Sequence, residues 1–345
     1  MRVFVFEHLC GGGMLGEHLR PDLTAQGSAM LKAALADFRA VGVAVTTCLD
    51  ERVKLAVDGI ETTVVRTGQA LEPIFDELAS TGDAALVIAP ETGGVLESWL
   101  TRLESLGVIS LGCGKSAVAL CADKLKLAEH LQLNGIPTPT THPADDDRDA
   151  CFPCIVKPRY GAGCEETFLC RSWREAGQLR RRDGFIMQPA VARSFSGAAS
   201  VSLIVHDQQF MPLLAGWQYV ELDSETPPRL HYAGGSMPLP EPWSTRARDL
   251  AVRAASTVPS LRGFVGVDLM MGDDPNRDTV IEINPRLTVS YVVLQRLCRF
   301  NMASAMIGTV GPPEQGAADL DPSSCFHDRL VHYDAAGNIV DRGLL

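Results

Sequence analysis

Two acidic residues stand out because of where they sit. Asp268 and Glu282 lie inside apolar, β-branched runs: Gly263-Phe-Val-Gly-Val-Asp-Leu-Met-Met271 and Thr279-Val-Ile-Glu-Ile-Asn-Pro-Arg286. The intervening Gly272-Asp-Asp-Pro-Asn-Arg-Asp278 is turn chemistry. This pattern predicts a β-hairpin that, folded about Pro275, sets Asp268 opposite Glu282 and Gly266 opposite Asn284. Directly opposed residues on antiparallel strands have Cβ atoms about 4.5–5.5 Å apart, and like charges there repel. Two acids so placed need a cation between them. The two-residue strand period puts Glu282, Asn284 and Arg286 on one face. Two carboxylates, an amide oxygen and a guanidinium suit Mg²⁺ shared with substrate phosphates. The competing reading is a solvated hairpin face, but Asp and Glu are rarely buried unpaired.

A second candidate is Lys157 in Cys154-Ile-Val-Lys-Pro158, conspicuous because lysine is scarce in an arginine-dominated chain. A buried ammonium needs a partner, and a nucleotide phosphate would serve; the bland reading is a lysine snorkelling from a strand edge. The following Arg159-Tyr-Gly-Ala-Gly-Cys-Glu-Glu166 and a return strand Thr167 to Cys170 predict a flap. Its glycines, Gly161 and Gly163, can turn backbone N–H groups toward an anion. It is not a Walker A loop, because the Gly-Lys-Ser/Thr ending is missing. Cys151 and Cys154 have the gap of a metal or redox pair, but no second pair matches them.

These residues need elements to hold them. Over roughly the first 110 residues, strands and helices alternate, which predicts a parallel sheet covered by helices. Ligands in such sheets bind beyond the carboxyl ends of the strands. Two of those ends carry polar, glycine-rich loops, Glu7 to Glu17 (with Gly12) and Glu91 to Gly94. Farther on, Asp123 reads as the N-cap of a helix running to Leu133. Asp145 to Asp149 reads as a solvated loop, Trp173 to Arg181 as a helix, and Gly184 to Gln188 as a strand. Pro189-Ala-Val191 then makes an extended linker. A strand Ala199 to Val205 turns and returns through Phe210 to Trp217. Pro227 to Pro242, with Tyr232 and Gly235 inside it, reads as a long functional loop. Helices are expected over Trp243 to Thr257 and Tyr291 to Met306, then a flexible Gly311 to Pro322 and a final hairpin.

The bulk properties narrow the function. A chain of 345 residues with a 46% apolar fraction predicts two or three domains. A formal charge of −11 argues against nucleic acid as partner. No run approaches the length of a membrane span and no leader pattern opens the chain, so a cytoplasmic location is expected. The ten cysteines read mostly as buried thiols.

Taken in order, Asp123-Lys124, Ile155-Val-Lys157-Pro with its glycine loop, Gln188, Ser200-Val-Ser, Asp268 and Glu282-Ile-Asn284-Pro-Arg286 resemble the motif series of the ATP-grasp ligases. Within that family the opening Phe6-Glu7, the Pro90-Glu91-Thr-Gly turn and the segment 281–291 look like the branch that includes tyramine–glutamate ligases of methanofuran synthesis. The chain departs from many members in having Gln188 near a common glutamate position, and Cys164-Glu165 where several carry more glycine. The resemblance implies an α/β and α+β protein with an ATP-grasp fold and an N-terminal parallel α/β domain. The expected division is 1–112, a small subdomain 113–190 with the flap, and a large subdomain 191–345 with the metal hairpin. It implies ATP and one or two Mg²⁺ ions, with Mn²⁺ as a substitute. Asp268, Glu282 and Asn284 would hold the metal. Lys124, Lys157, Gly161, Gly163, Gln188, Pro189 and Val191 would hold the nucleotide. Arg286 and Lys157 would be catalytic, and Glu7, Gly12, Glu91, Tyr232 and Gly235 would meet substrate. The implied reaction joins a carboxylate to an amine through an acyl-phosphate, with a homodimer as one arrangement. A phosphotransferase of the same fold and a non-catalytic nucleotide-binding protein are the other readings.

Overall fold

The computed structural model describes residues 1–146, 151–191, 195–308 and 325–340. The N-terminal sheet contains β1 (Arg2–Glu7), β2 (Ala44–Asp50), β3 (Glu61–Val65), β4 (Ala84–Ile88) and β5 (Ile109–Ser110), all parallel, in the order β3-β2-β1-β4-β5. β1 and β4 are central and covered on both faces, which is why they read as unbroken apolar runs. Helices α1 (Pro21–Ala40), α2 (Leu71–Ser80) and α3 (Val95–Ser105) cover the sheet. α1 opens with Pro21 in its first turn, where a missing N–H costs nothing. The strand order diverges between β1 and β4, so the loops after Glu7 and Ile88 meet at the switch point.

Helices α4 (Lys115–Ala122) and α5 (Lys124–Leu133) follow, and Asp123 caps α5 by accepting from the Lys126 N–H at 3.2 Å. A small antiparallel sheet comes next, with β6 (His142–Pro143), β7 (Cys154–Pro158), β8 (Phe168–Cys170) and β9 (Phe185–Pro189) in the order β6-β9-β7-β8. Pro189 is not linker: it ends β9 opposite Cys154. The helix expected over Trp173 to Arg181 is instead a short α6 (Trp173–Ala176) and a 3₁₀ turn over Leu179–Arg181. Gly177, a poor helix former, lies at the break. Of the predicted charged loop, Asp147 to Asp149 lie outside the described residues. All ten cysteines are free thiols; Cys151 is exposed, and Cys154 is buried opposite Cys170.

The remaining strands build one seven-stranded sheet. They are β10 (Phe195–His206), β11 (Gln209–Leu222), β12 (Leu230–Met237), β13 (Gly263–Gly272), β14 (Thr279–Asn284), β15 (Val331–Tyr333) and β16 (Ile339–Val340), in the order β14-β13-β10-β11-β12-β15-β16. Helices α7 (Trp243–Ser256), α8 (Ser290–Leu297) and α9 (Met302–Ile307) complete it. The predicted loop around Tyr232 and Gly235 is in fact β12. Its glycines serve close packing between strands, not a turn. A Cβ at Gly235 would lie 2.1 Å from the Trp217 carbonyl oxygen, and one at Gly234 2.0 Å from that of Tyr333. The single helix expected over Tyr291 to Met306 is broken at Cys298, and Asn301 caps the second piece by accepting from the Ser304 N–H at 2.9 Å. The predicted flexible stretch Gly311 to Pro322 lies outside the described residues.

The N-terminal sheet is joined to this third sheet by a shared core. Val3, Leu31 and Phe38 pack in one cluster with Phe264, Tyr291 and Met302. Asp37 on α1 holds the seam: it accepts from the Tyr291 hydroxyl and from the Gln295 amide, each at 2.7 Å, and its carbonyl accepts from Asn301 at 2.9 Å.

Candidate active site

The hairpin of β13 and β14 pairs Gly266 with Asn284, Val267 with Ile283 and Asp268 with Glu282. Its register then slips, Leu269 facing Val280, so Ile281 bulges at the acidic pair. A bulge re-aims side chains, and here it falls where the two acids converge. Asn284 Nδ2 donates to Asp268 Oδ2 at 2.9 Å, and Gln218 Nε2 on β11 donates to Oδ1 at 2.8 Å. Three strands thus converge on one carboxylate.

Two cations answer the charge. Lys124 Nζ, at the start of α5, lies 3.5 Å from Glu282 Oε2 and donates to the Gly161 carbonyl of the flap. Lys157 on β7 is 7% exposed. Burial lowers Lys157 to about 8; Glu282 opposes that shift and Lys124 adds to it. Burial raises the Asp268 carboxyl, and the Glu282 charge beside it raises it further. Burial pushes Glu282 the same way, but Lys124 and Lys157 outweigh it and hold Glu282 below the ordinary value. Two facing carboxylates repel, and their surroundings move the two groups in opposite directions, Asp268 up and Glu282 down.

Arg286 follows the hairpin and reaches the other sheet. Its Nε donates to Glu91 Oε2 at 2.8 Å and its Nη1 to the Leu287 carbonyl at 3.1 Å. Glu91 lies just past β4, so this buried ion pair ties the metal-type hairpin to the switch point of the parallel sheet.

The flap over the site is tied on two sides. Glu165 pairs with Arg20 beside α1 at 2.5 Å, and Glu166 with Arg182 at 2.6 Å. Arg159 at its base pairs with Asp123 through Nε at 2.6 Å and Nη2 at 2.7 Å. Gly163 has φ +64°, and Cys164 and Glu166 also have positive φ. The Cys164 thiol, raised to about 12 by burial and by the two acids, faces the same cluster.

The other anticipated residues fall in several places. Gln188 is buried on β9 and donates to the Thr141 hydroxyl at 2.8 Å. Pro189 and the half-buried Val191 follow at the same edge. Gly12 (φ +103°) approaches Val65. Glu7 is walled in: its carboxylate accepts from the Cys10 N–H at 2.7 Å, and a Cβ on Gly27 would lie 2.7 Å from it. Burial raises its pKa. Next to it His8, lowered to about 4 by burial, accepts from the Trp99 indole N–H at 3.2 Å. Tyr232 is raised well above its ordinary value by burial and by Tyr333 beside it, with Asp268 also acting on it. Gln218 was not anticipated. The expected strand ends at Trp217, whereas β11 runs on to Leu222 and takes Gln218 with it.

The donor set permits a test of fit for a divalent ion. Among the described residues no three His, Cys, Asp or Glu side chains are placed to hold a metal. Two acids and Asn284 make a partial oxygen shell, the kind Mg²⁺ uses when substrate phosphates and water supply the rest. The two carboxylates face each other across the hairpin with the Asn284 amide beside them, and a divalent ion would offset their repulsion, so the residues fit such an ion.

Comparison with known proteins agrees with this geometry. A model of the ATP-grasp domain matches residues 121–290, and a model of the pre ATP-grasp 3 domain matches 43–118. Over 218 residues the chain is 26% identical to tyramine–L-glutamate ligase of Methanocaldococcus jannaschii, an alignment covering 62% of this chain and 58% of that enzyme. It is also 26% identical to D-alanine–D-alanine ligase of Pseudomonas entomophila, covering 59% of this chain and 66% of that one. The chain thus spans about three fifths of the length of the first curated relatives it matches. A solved structure described as an ATP-grasp superfamily protein from Archaeoglobus fulgidus shares the fold, with TM-score 0.71 at 24% identity over 92% of this chain and 96% of that one.

Proposed function

The chain belongs to the ATP-grasp superfamily, and from that premise we propose that it is an ADP-forming carboxylate–amine ligase. The observation that carries this reading is the convergence of Asp268, Glu282 and Asn284 with Lys124, Lys157 and Arg286 under a glycine-bearing flap. Lys124 and Lys157 offset phosphate charge, and the flap backbone closes over it. Asp268, Glu282 and Asn284 would hold Mg²⁺, which would supply positive charge against the phosphate oxygens. Arg286, fixed by Glu91, faces the carboxylate being activated and steadies the charge that grows on the transferring group. A carboxylate oxygen attacks the γ-phosphorus and ADP leaves, giving an acyl-phosphate; the neutral amine then attacks the acyl carbon, phosphate leaves, and the amine nitrogen gives up a proton as the amide forms. The flap ties at Glu165 and Glu166 keep water from the acyl-phosphate.

Glutamate and tyramine, or a related amine, are the substrates this reading favours, in a methanofuran-type one-carbon cofactor pathway. Support comes from the likeness to tyramine–L-glutamate ligase and from the acidic residue at the mouth of the parallel sheet. The test is an ADP-release screen of amino acids, glutamate first, against amines such as tyramine, with products identified by mass. A phosphorylated product without amide would make the chain a phosphotransferase. No ATP turnover with any pair would remove the ligase reading.

A further inference from the structure

Glu91 has one oxygen with nothing to hold. The side chain is 8% exposed, and Oε2 accepts from Arg286. Oε1 is buried too and has no hydrogen-bond partner among the described residues. The nearby Cys113 thiol donates elsewhere, to the Arg262 carbonyl at 3.1 Å. Leaving a buried acceptor unsatisfied costs about 1–3 kcal/mol, and more for a charged one. Such a group calls for a donor from outside the chain.

Position narrows the donor. Glu91 follows β4 at the switch point, where open α/β sheets bind ligands. Through Arg286 it is one guanidinium away from the carboxylate pair. The other acid at this edge, Glu7, is closed off by Cys10 and Gly27.

We propose that Oε1 of Glu91 docks the protonated amino group of the amine substrate beside Arg286. This rests on the ligase reading and deepens it, because it selects one acid to receive the nucleophile. A carboxylate engaged by a single guanidinium contact keeps acceptor capacity for an ammonium. A water is the rival partner.

The deciding variant is Glu91→Gln, which keeps the shape and presents an N–H where the ammonium would donate. Two products are measured with glutamate and ATP: the amide formed with a panel of primary amines that begins with tyramine, and the hydroxamate formed when hydroxylamine traps the acyl-phosphate. The expected result is a rise in amine KM, and a fall in the amide-to-hydroxamate ratio, of roughly tenfold or more, with partial recovery in Glu91→Asp. An unchanged ratio, as a bound water would give, overturns the proposal. So does a wild-type protein that makes hydroxamate but accepts no amine of the panel. No hydroxamate from the wild type with any amino acid would sink the ligase reading instead. A measurement on the wild type alone covers a variant that fails to fold. The alcohol analogue of the accepted amine should inhibit roughly tenfold more weakly than the amine binds, and equal inhibition overturns the proposal.

Discussion

Asp268 and Glu282 make opposite demands on the medium around them. Burial and the neighbouring charge raise Asp268 above its unfolded value, so the folded chain keeps a proton that the unfolded chain releases. Stability from this group is therefore full in acid and is lost as pH rises through neutrality. Asp268→Asn ends that exchange. In chelator-treated buffer the variant should melt a few degrees above wild type near about pH 8, a gain of roughly 1–3 kcal/mol, with the gap closing toward about pH 5. Melting scans at both pH values check it, and a gap that widens in acid would contradict it. Glu282→Gln should leave the circular dichroism spectrum intact while ADP release falls roughly a hundredfold or more. Near-normal turnover in that variant would remove the metal assignment. The opposition of these two acids was legible from the chain, because turn residues and a two-residue period fix register. Gln218 was not, since nothing local marks which polar residue of a strand turns toward a carboxylate two strands away.

Elements were legible where local chemistry and tertiary need agree. The alternating first 110 or so residues, the Asp123 cap and the β13–β14 hairpin are such places. β12 shows the opposite case. Its run of His, Tyr, Ala and paired Gly carries turn chemistry, but the glycines answer to neighbouring backbones. That gives a prediction: Gly235→Ala forces a Cβ to within 2.1 Å of the Trp217 carbonyl. It should destabilise the protein by roughly 1–3 kcal/mol or more, measured by urea unfolding. Wild-type stability in this variant would mean that β11 and β12 pair differently. The helix after the hairpin was misjudged for a related reason. The apolar spacing of Tyr291 to Met306 continues across Cys298 to Asn301, and only the contact of Asn301 with Asp37 shows that the chain must bend there.

At the scale of the molecule, the parallel sheet and the seven-stranded sheet share one core and a polar seam. Asp37→Ala would leave the buried Tyr291 hydroxyl without its acceptor and take one of two acceptors, the other being the Ala33 carbonyl, from the Gln295 amide. The expected cost is roughly 2–4 kcal/mol, read as a lower midpoint in denaturant. Unaltered stability would mean that the seam does not bear on folding. No helix among the described residues is long and apolar enough to cross a membrane. The last strands carry a further consequence. The ATP-grasp match ends at residue 290, yet β15 hydrogen-bonds along β12 and β16 along β15. A gene trimmed to the matched region would therefore strip one flank of the seven-stranded sheet and bare a row of unpaired amides and carbonyls. Expressed that way, the protein would be ready to stack on its own copies. Aggregates from such a fragment would report a missing border strand and say nothing about the chemistry of the site.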